Sequence, residues 1–365
     1  NNDKDGDTMV ETAHPPAEAA SGTLDRIAFP FAPPQPDGEL VTLAPGVFWA
    51  RMPMPMQLDH INVYLLRDGD GWFIVDTGLN LPTSRALWET IVERHFDGLP
   101  LKGVICTHFH YDHAGLSAWL TERFEAPLYM THGEYFTMRT LAGPPPEPLP
   151  DSLLRFYLRA GMPRERVEQM FAKLRRDPFM PPHPRAFNRL REGQVLTIGG
   201  RDWRVVIGEG HSPEHACLYC AAGHLLIAGD QLLPRITSNV LVSDIEPEAN
   251  PLKLWLDSLD RLALLAPETL VLPSHERVFS GLLPRVAELH AHHRLQFDIV
   301  RNHLRDTGAA TAFETKARLF PRSLSAVEDM MALGETIAHL SWLRYAGEVR
   351  RVLDDDGLYR FSLVN

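Results

Sequence analysis

The chain has 365 residues, of which 44% are hydrophobic, a composition typical of a globular protein with a sizeable core. Its formal net charge of -11 disfavours broad binding to nucleic acid or to a membrane surface, although a local basic patch is not excluded. The three cysteines are too few for a disulfide scaffold and fit a reducing compartment. Because there is also no signal-peptide core and no apolar run of about 18 residues, we expect a cytoplasmic protein without a transmembrane helix.

The first 38 residues are rich in proline, alanine and acidic residues, which predicts a poorly ordered lead-in. Strand patterns begin after it, as short runs of apolar, β-branched and aromatic residues. A turn rich in glycine and aspartate at 67–71 separates two of these runs, and a helical pattern follows them. The predicted elements of this region are strands at 46–50, 60–66 and 72–76 and a helix at 83–95.

The segment 107–115 places three imidazoles and one carboxylate within six residues, as Thr-His-Phe-His-Tyr-Asp-His-Ala-Gly. An apolar run at 102–106 predicts a buried strand before it, and a helical run at 116–120 follows. Divalent metals such as zinc bind imidazole and carboxylate ligands, and a crowded loop can direct several of them at one point. We therefore interpret this segment as a metal-binding motif rather than as a histidine-rich surface loop.

Proline-rich stretches enclose an insertion at about 144–184. Two helical patterns lie inside it, at 152–160 and 164–175. The insertion could be a structural spacer or a helical lid that shapes a substrate pocket. Because long insertions beside functional sites often cover those sites, we favour the lid.

Strands that alternate with helices after the insertion indicate a layered α/β architecture. Three of these strands are followed by further candidate ligands, His211, Asp230 and His275. Since each ligand comes after the end of an apolar strand, all of them could converge on one edge of the sheets. The predicted elements are strands at 194–198, 203–207, 216–220, 225–228 and 269–272 and helices at 251–265 and 284–304.

Cys217 and Cys220 form a C-x-x-C pair inside one of these predicted strands. The odd spacing directs the two side chains to opposite faces of the strand. We therefore interpret both as packing residues rather than as a redox or metal-binding pair.

The segment 306–365 is predicted to form a separate small module. Helical patterns at 311–319 and 334–345 precede a hairpin with an Asp-Gly turn within 352–361, an order that resembles a winged helix. Residues 301–365 contain nine Lys/Arg and nine Asp/Glu, and three consecutive aspartates occupy the hairpin tip. A wing that binds DNA would be basic, so packing or homodimer formation is the favoured role of this module.

The histidine-rich motif, followed in order by His211, Asp230 and His275, resembles the metallo-β-lactamase superfamily of metal-dependent hydrolases. The resemblance covers residues 40–290. It implies an α/β fold, the αββα sandwich of that superfamily, with a small winged-helix-like module at its C-terminus. Superfamily members with such a module include lactamase-like endoribonucleases, and glyoxalase II-like proteins are further relatives.

The domain organisation that follows has three parts. They are a poorly ordered lead-in at 1–38, a metallo-β-lactamase-like domain at 39–305 with the helical insertion at about 144–184, and a winged-helix-like module at 306–365.

Carried over by motif position, the resemblance implies two divalent metal ions and seven ligands. Two such cations can share one water, lower its pKa and generate a bridging hydroxide that attacks an electrophilic carbon or phosphorus. Asp112 would also act in catalysis, by orienting the nucleophile or shuttling a proton. The implied ligands are His108, His110 and His211 for the first metal, Asp112, His113 and His275 for the second, and Asp230 as the bridge.

Two positions narrow the chemistry that the resemblance implies. Asp230 is present where lactam-hydrolysing members usually lack the bridging carboxylate, which disfavours antibiotic hydrolysis. His110 stands where diiron flavoprotein relatives usually place glutamate, and no flavin-binding domain follows. This favours zinc, with iron or manganese as alternatives. Asp76 and His215 are expected to support metal-binding histidines rather than to bind metal, although Asp76 could equally serve turn chemistry.

The substrate is expected to be a small molecule. Met52, Met54 and Met56 lie between two early strands and, with Tyr111, could line an adaptable pocket for an acyl or aromatic group, or could simply fill the core. The favoured activity is hydrolysis of a small ester, thioester or lactone. The alternatives are a phosphodiesterase or endoribonuclease, which the acidic balance disfavours, a mononuclear iron sulfur dioxygenase, and a non-enzymatic relic, which the intact ligand set disfavours.

Overall fold

The computed structural model describes residues 27–56, 58–176 and 182–364. Most of the predicted lead-in, residues 1–26, therefore lies outside the described residues, as does the stretch 177–181 of the insertion. Among the described residues, no helix combines the length and the apolar character needed to cross a membrane.

Two β-sheets form the centre of the fold. In the first sheet the neighbours follow chain order from β1 to β7, antiparallel up to β4 and parallel from there to β7. Its strands are β1 (Val41–Ala44), β2 (Val47–Pro53), β3 (His60–Asp68), β4 (Gly71–Val75), β5 (Leu101–Ile105), β6 (Leu128–Thr131) and β7 (Asn188–Leu190).

The second sheet has the strand order β12-β11-β10-β9-β8, and a separate hairpin is made by β13 and β14. Only the β11–β12 pair of the second sheet is parallel. The strands are β8 (Val195–Ile198), β9 (Arg201–Gly208), β10 (His215–Cys220), β11 (Leu225–Gly229), β12 (Leu270–Pro273), β13 (Val349–Leu353) and β14 (Tyr359–Leu363).

Ten α-helices connect or extend these strands in the described part of the chain, together with a short 3-10 helix at Ala221–Gly223. The α-helices are α1 (Pro82–His95), α2 (Tyr111–Ala114), α3 (Ser117–Arg123), α4 (His132–Thr140), α5 (Asp151–Arg159), α6 (Arg164–Arg176), α7 (Pro251–Leu262), α8 (Leu282–Thr307), α9 (Ala312–Leu319) and α10 (Ala326–Tyr345).

Strand β3 shows how the sequence builds the layers. Alternate side chains of a strand point to opposite faces, and both faces of β3 are buried. Ile61, Val63 and Leu65 join a core cluster that includes Trp88 of α1. Tyr64 and Leu66 join the cluster between the two sheets, with Trp203 and Leu218 of the second sheet. This sheet-on-sheet core with helices outside confirms the predicted α/β sandwich.

The chain divides into two compact units. Among the described residues, the first unit comprises 27–56, 58–143, 182–238 and 258–286 and contains both large sheets. The second unit comprises 144–176, 239–257 and 287–364 and joins the insertion helices to the C-terminal helices and hairpin.

A buried ion cluster holds the second unit together. The carboxylate of Asp329 on α10 accepts hydrogen bonds from Arg166 of the insertion helix α6 and from Lys316 of α9. The backbone N–H of Phe313 also donates to the carbonyl of Ala160, at 2.9 Å. These contacts tie the insertion to the C-terminal module, which has the predicted order of two helices and a hairpin.

The predicted elements are present, with shifted ends. Helix α10 begins at Ala326 rather than at residue 334, because Ser325 and Glu328 form a capping box there. Five strands and α-helices of three to nine residues were not predicted: β1, β6, β7, α2 and α4.

Candidate metal centre

The ends of four strands carry the predicted ligands to one edge of the two sheets. His108, His110, Asp112 and His113 follow β5 in the loop and the short helix α2. The remaining three lie after other strands: His211 after β9, Asp230 directly after β11, and His275 after β12. These strand ends lie at the same edge of the two sheets. Residues that are far apart in the sequence therefore meet there.

The first cluster consists of His108, His110, His211 and Asp230, whose donor atoms all lie within 4.8 Å of one another. The Nε2 atom of His108 is 2.8 Å from Nδ1 of His110 and 3.2 Å from Nε2 of His211. His108 is completely buried, whereas His110 and His211 are partly exposed. The side chain of His211 is only 4% exposed, so the cluster is largely withdrawn from solvent.

The second cluster consists of Asp112, His113 and His275, and Asp230 lies between the two clusters. Asp112 Oδ2 is 3.4 Å from the Nε2 atoms of both His113 and His275. Asp230 directs Oδ2 at His113, at 3.3 Å, and at His211, at 3.4 Å, while its Oδ1 is 3.3 Å from His275. One carboxylate thus faces imidazole nitrogens of both clusters.

Hydrogen bonds on the far side of the imidazole rings fix how they present their nitrogens. Asp76 Oδ2 lies 2.8 Å from Nδ1 of His113, and Asp76 also accepts from the N–H and hydroxyl of Thr107. The Thr107 hydroxyl donates its hydrogen bond to Asp76. The hydroxyl oxygen of Thr107 can therefore accept a hydrogen bond from Nδ1 of His108, at 3.0 Å. The Nδ1 atom of His275 faces the carbonyl of His60 at 3.1 Å. These bonds leave Nε2 of each ring as a lone-pair donor.

His215 is oriented by the backbone of the bridging residue. The N–H of Asp230 donates to Nε2 of His215 at 3.1 Å, so that this nitrogen cannot carry a proton. His215 is fully buried, and Gly229 lies against its ring. A Cβ atom on Gly229 would lie 2.4 Å from Nε2 of His215, which explains why a glycine with φ of +53° ends β11.

A profile of the metallo-β-lactamase superfamily matches residues 56–275, the stretch that contains all of these residues. The chain belongs to the metallo-β-lactamase superfamily. A profile described as the C-terminal domain of metallo-β-lactamase-like proteins matches residues 301–364. The resemblance seen in the sequence is confirmed, and so is the prediction of a metal-dependent hydrolase at the level of the family. The winged-helix description of the module stays a prediction.

Solved structures of the superfamily cover nearly the whole chain. A β-lactamase domain protein from Burkholderia ambifaria is 40% identical, with a TM-score of 0.86 over 94% of this chain and 100% of that one. A metallo-β-lactamase family protein from Thermus thermophilus is 31% identical, with a TM-score of 0.73 over 88% and 100%. A probable metallo-hydrolase of Bacillus subtilis is 27% identical over 80% of this chain and 90% of its own length.

The donor atoms of the two clusters fit divalent cations. Imidazole nitrogens that face each other at 2.8 and 3.2 Å need a proton or a cation between them. In addition, His113 Nε2 and Asp230 Oδ1 are buried and have no hydrogen-bond partner among the described residues. A buried polar atom without a partner is costly, and a bound cation would satisfy both atoms. Superfamily members bind divalent metals, and the two clusters could hold such ions in this chain.

The electrostatics of the first cluster favour neutral, metal-binding imidazoles. Burial, together with neighbouring histidines, lowers the pKa of His108 well below its usual value and that of His110 to about 3. Burial opposes ionisation of Asp230, but the charges of His113 and His275 hold its pKa well below the usual range. Metal ligands must be deprotonated, so nearly neutral conditions leave these groups ready to bind.

Glu134, on helix α4, was not predicted. It is completely buried, and its carboxylate accepts from Ser212 Oγ at 2.7 Å, from Glu214 N–H at 2.6 Å and from Phe109 N–H at 3.0 Å. Phe109 lies between two ligands, and Ser212 follows a third. Glu134 therefore links the two loops that carry the three histidines of the first cluster. In the sequence, Glu134 lies shortly after a four-residue strand, in a stretch that looks like an ordinary surface helix. Nothing in that pattern marks it as buried.

The structure places the four predicted pocket residues in or against the core. Met52, Met54 and Tyr111 belong to the cluster outside the first sheet, and Met56 packs against it with partial exposure. A substrate-binding role for them stays a prediction. Cys217 and Cys220 are both buried and reduced, and only Cys220 belongs to the core between the sheets.

Proposed function

We propose that the protein is a dinuclear metal-dependent hydrolase of a small ester, thioester or lactone. The observation that carries the proposal is the position of Asp230 between two buried donor clusters, which suits a pair of neighbouring cations. Zinc is the favoured metal because the first cluster is rich in imidazole. When bound, two such ions supply a water of lowered pKa and stabilise the oxyanion that develops on the substrate.

The residues of this chain have distinct parts in the proposed hydrolysis. Asp76, Thr107 and the His60 carbonyl would keep the ligand rings in one tautomer. Asp112, at the edge of the second cluster, would orient the attacking water and pass its proton to the leaving alcohol or thiol. Water adds to the acyl carbon, the bond to oxygen or sulfur breaks, and a carboxylic acid is released.

Two curated relatives support acyl substrates. A hydroxyacylglutathione hydrolase of Albidiferax ferrireducens is 25% identical over 63% of this chain, and an atrochrysone carboxyl ACP thioesterase of Aspergillus terreus is 22% identical over 84%. The names of both proteins denote cleavage of a thioester. The local ligand pattern, not this distant similarity, remains the main support.

Metal analysis and a substrate panel test the proposal together. Protein purified without added metal or chelator should contain about two zinc equivalents per chain and cleave members of a panel of acyl thioesters, esters and lactones. Bis-p-nitrophenyl phosphate and single-stranded RNA serve as counter-substrates. About one equivalent of iron with no acyl cleavage, or cleavage of the phosphodiesters alone, would overturn the proposal.

A further inference from the structure

The second unit contains a cleft of about 220 Å³ whose lining includes none of the candidate metal ligands. Helix α5 forms one wall with Arg155 and Arg159, the segment 244–248 forms another, and the β13–β14 hairpin contributes Arg351 and Tyr359. All of the residues that line the cleft belong to the second unit, whereas the seven candidate metal ligands belong to the first. The cleft and the candidate metal centre therefore have no residue in common.

Some of the arginines around the cleft pair with a carboxylate, and others do not. Glu248 accepts from Arg351 and from Arg344, both at 2.7 Å, so its two carboxylate oxygens are already used. Arg159 donates to the hydroxyl of Tyr359 at 3.2 Å. Within the described part of the chain, no carboxylate pairs with Arg155 or Arg159. Two guanidinium groups thus remain at the cleft for an anion, in a chain whose net charge is -11.

The floor and one side of the cleft are apolar or aromatic. Ile337 and Phe361 line the floor and are almost completely buried. The Tyr359 ring has the Arg351 guanidinium 4.2 Å from its centroid and that of Arg159 at 5.4 Å. These contacts hold two of the cationic groups beside an apolar surface. An inorganic anion would leave that surface uncovered.

Asp244 limits the charge that the cleft can accept. This carboxylate lines the same cleft, and no ion pair with a described residue neutralises it. Asp244 would repel a dianion such as phosphate more strongly than a monoanion, which could bond Arg155 and Arg159, the two arginines without a carboxylate partner. The volume is below the range of about 300–1,000 Å³ for drug-sized ligands, which restricts the occupant to a short chain or a single ring.

We propose that this cleft is a binding site for a small organic monocarboxylate with an aliphatic or aromatic body. The carboxylate bonds Arg155 and Arg159, and the body covers Ile337 and Phe361. The site is independent of the proposed hydrolytic activity, because none of its residues belongs to the metal centre.

Isothermal titration of the full chain with benzoate and hexanoate tests this site, with benzamide, hexanamide and inorganic phosphate as matched probes. The carboxylates should bind, and the neutral amides and phosphate should bind at least roughly ten-fold more weakly. The double variant Arg155→Gln/Arg159→Gln should lose carboxylate binding by at least about ten-fold. Arg164→Gln is the control, because Arg164 is an exposed arginine of the same unit that pairs with Glu168.

The variants also separate this cleft from the metal centre, where a carboxylate could bind as a ligand. Binding that EDTA abolishes and that Arg155→Gln/Arg159→Gln leaves unchanged would place the carboxylate at the metals and overturn the proposal. Equal binding of benzoate and benzamide would overturn the role of the two arginines. Tighter binding of phosphate than of benzoate would overturn the organic ligand class.

Discussion

The carboxylate of Glu134 accepts the backbone N–H of Glu214 at 2.6 Å, and the carboxylate of Glu214 in turn accepts the N–H of Gly133 at 2.7 Å. This reciprocal pair joins the start of helix α4 to the loop that carries His211. Since Glu134 also accepts the N–H of Phe109, one buried side chain sets the distance between two ligand loops. A residue that touches no metal would then govern metal affinity.

Replacement of Glu134 by glutamine should weaken metal binding. Glutamine replaces one acceptor oxygen of Glu134 with an NH2 group, which is a donor. That group must face another donor, either a backbone N–H or the Ser212 hydroxyl. Zinc affinity, measured by competition with a chromophoric chelator, should fall by about 10- to 100-fold. Tyr135→Phe is the matched control, because Tyr135 is buried on the same helix but donates to the carbonyls of Pro184 and Arg185. Equal losses in the two variants would show that Glu134 acts only through general stability.

Replacement of Asp230 by alanine should remove the bridge between the clusters. Bound zinc should fall from about two equivalents to about one, and turnover of an acyl substrate should fall by at least roughly 100-fold. Mass spectrometry of the native protein and steady-state kinetics measure the two effects. Asp202→Ala is the control, because Asp202 is an exposed carboxylate of the second sheet that accepts from Thr197. Normal turnover in Asp230→Ala would contradict a dinuclear mechanism.

Replacement of Gly229 by alanine should disturb the site through His215. The new Cβ atom would lie 2.4 Å from Nε2 of His215 and 3.1 Å from the Thr107 hydroxyl, in a residue whose φ is +53°. Urea denaturation should show a loss of about 3 kcal/mol in the free energy of unfolding. Gly193→Ala isolates the backbone cost, because φ is +73° there and nothing lies within 4 Å. It should lose only about 1 kcal/mol. Similar losses in the two variants would argue against the His215 contact.

Ionisation of Glu134 should make the metal-free protein less stable as the pH rises. Burial raises the pKa of this carboxyl to about 7, whereas its ordinary value is 4.5. Between these values the folded state holds a proton that the unfolded state has released, so stability decreases as pH rises from about 4.5 to about 7. In chelator-treated protein, the free energy of unfolding of the wild type should decrease relative to that of Glu134→Gln by up to about 3 kcal/mol as the pH rises over this interval. A pH-independent difference would contradict the elevated pKa.

The candidate ligands could be predicted because each one follows a strand with a strong apolar pattern. β5 and β11 are buried along almost their whole length, so their ends were clear and the polar residues after them stood out. Convergence then follows from the rule that strand ends share an edge. Asp76 was predicted for the same reason, since it directly follows β4.

Glu134 could not be found in this way. Helix α4 has nine residues, of which only three are buried, and its apolar pattern is weak. A glutamate in such a helix is normally exposed, and only the tertiary contacts with Phe109 and Ser212 reveal its role. The cleft in the second unit was equally hidden, because α5 and the hairpin lie about 200 residues apart in the chain and no local pattern links them.

The Asp329 ion cluster has a consequence for recombining members of this superfamily. Lys316 and Arg166 come from different segments but neutralise the same buried carboxylate. A chimera that takes the insertion from one relative and the C-terminal module from another could lose one of these cations and leave the buried carboxylate without full neutralisation. The insertion helices and the C-terminal module should therefore be exchanged as a pair, because in the described part of the chain they belong to one compact unit.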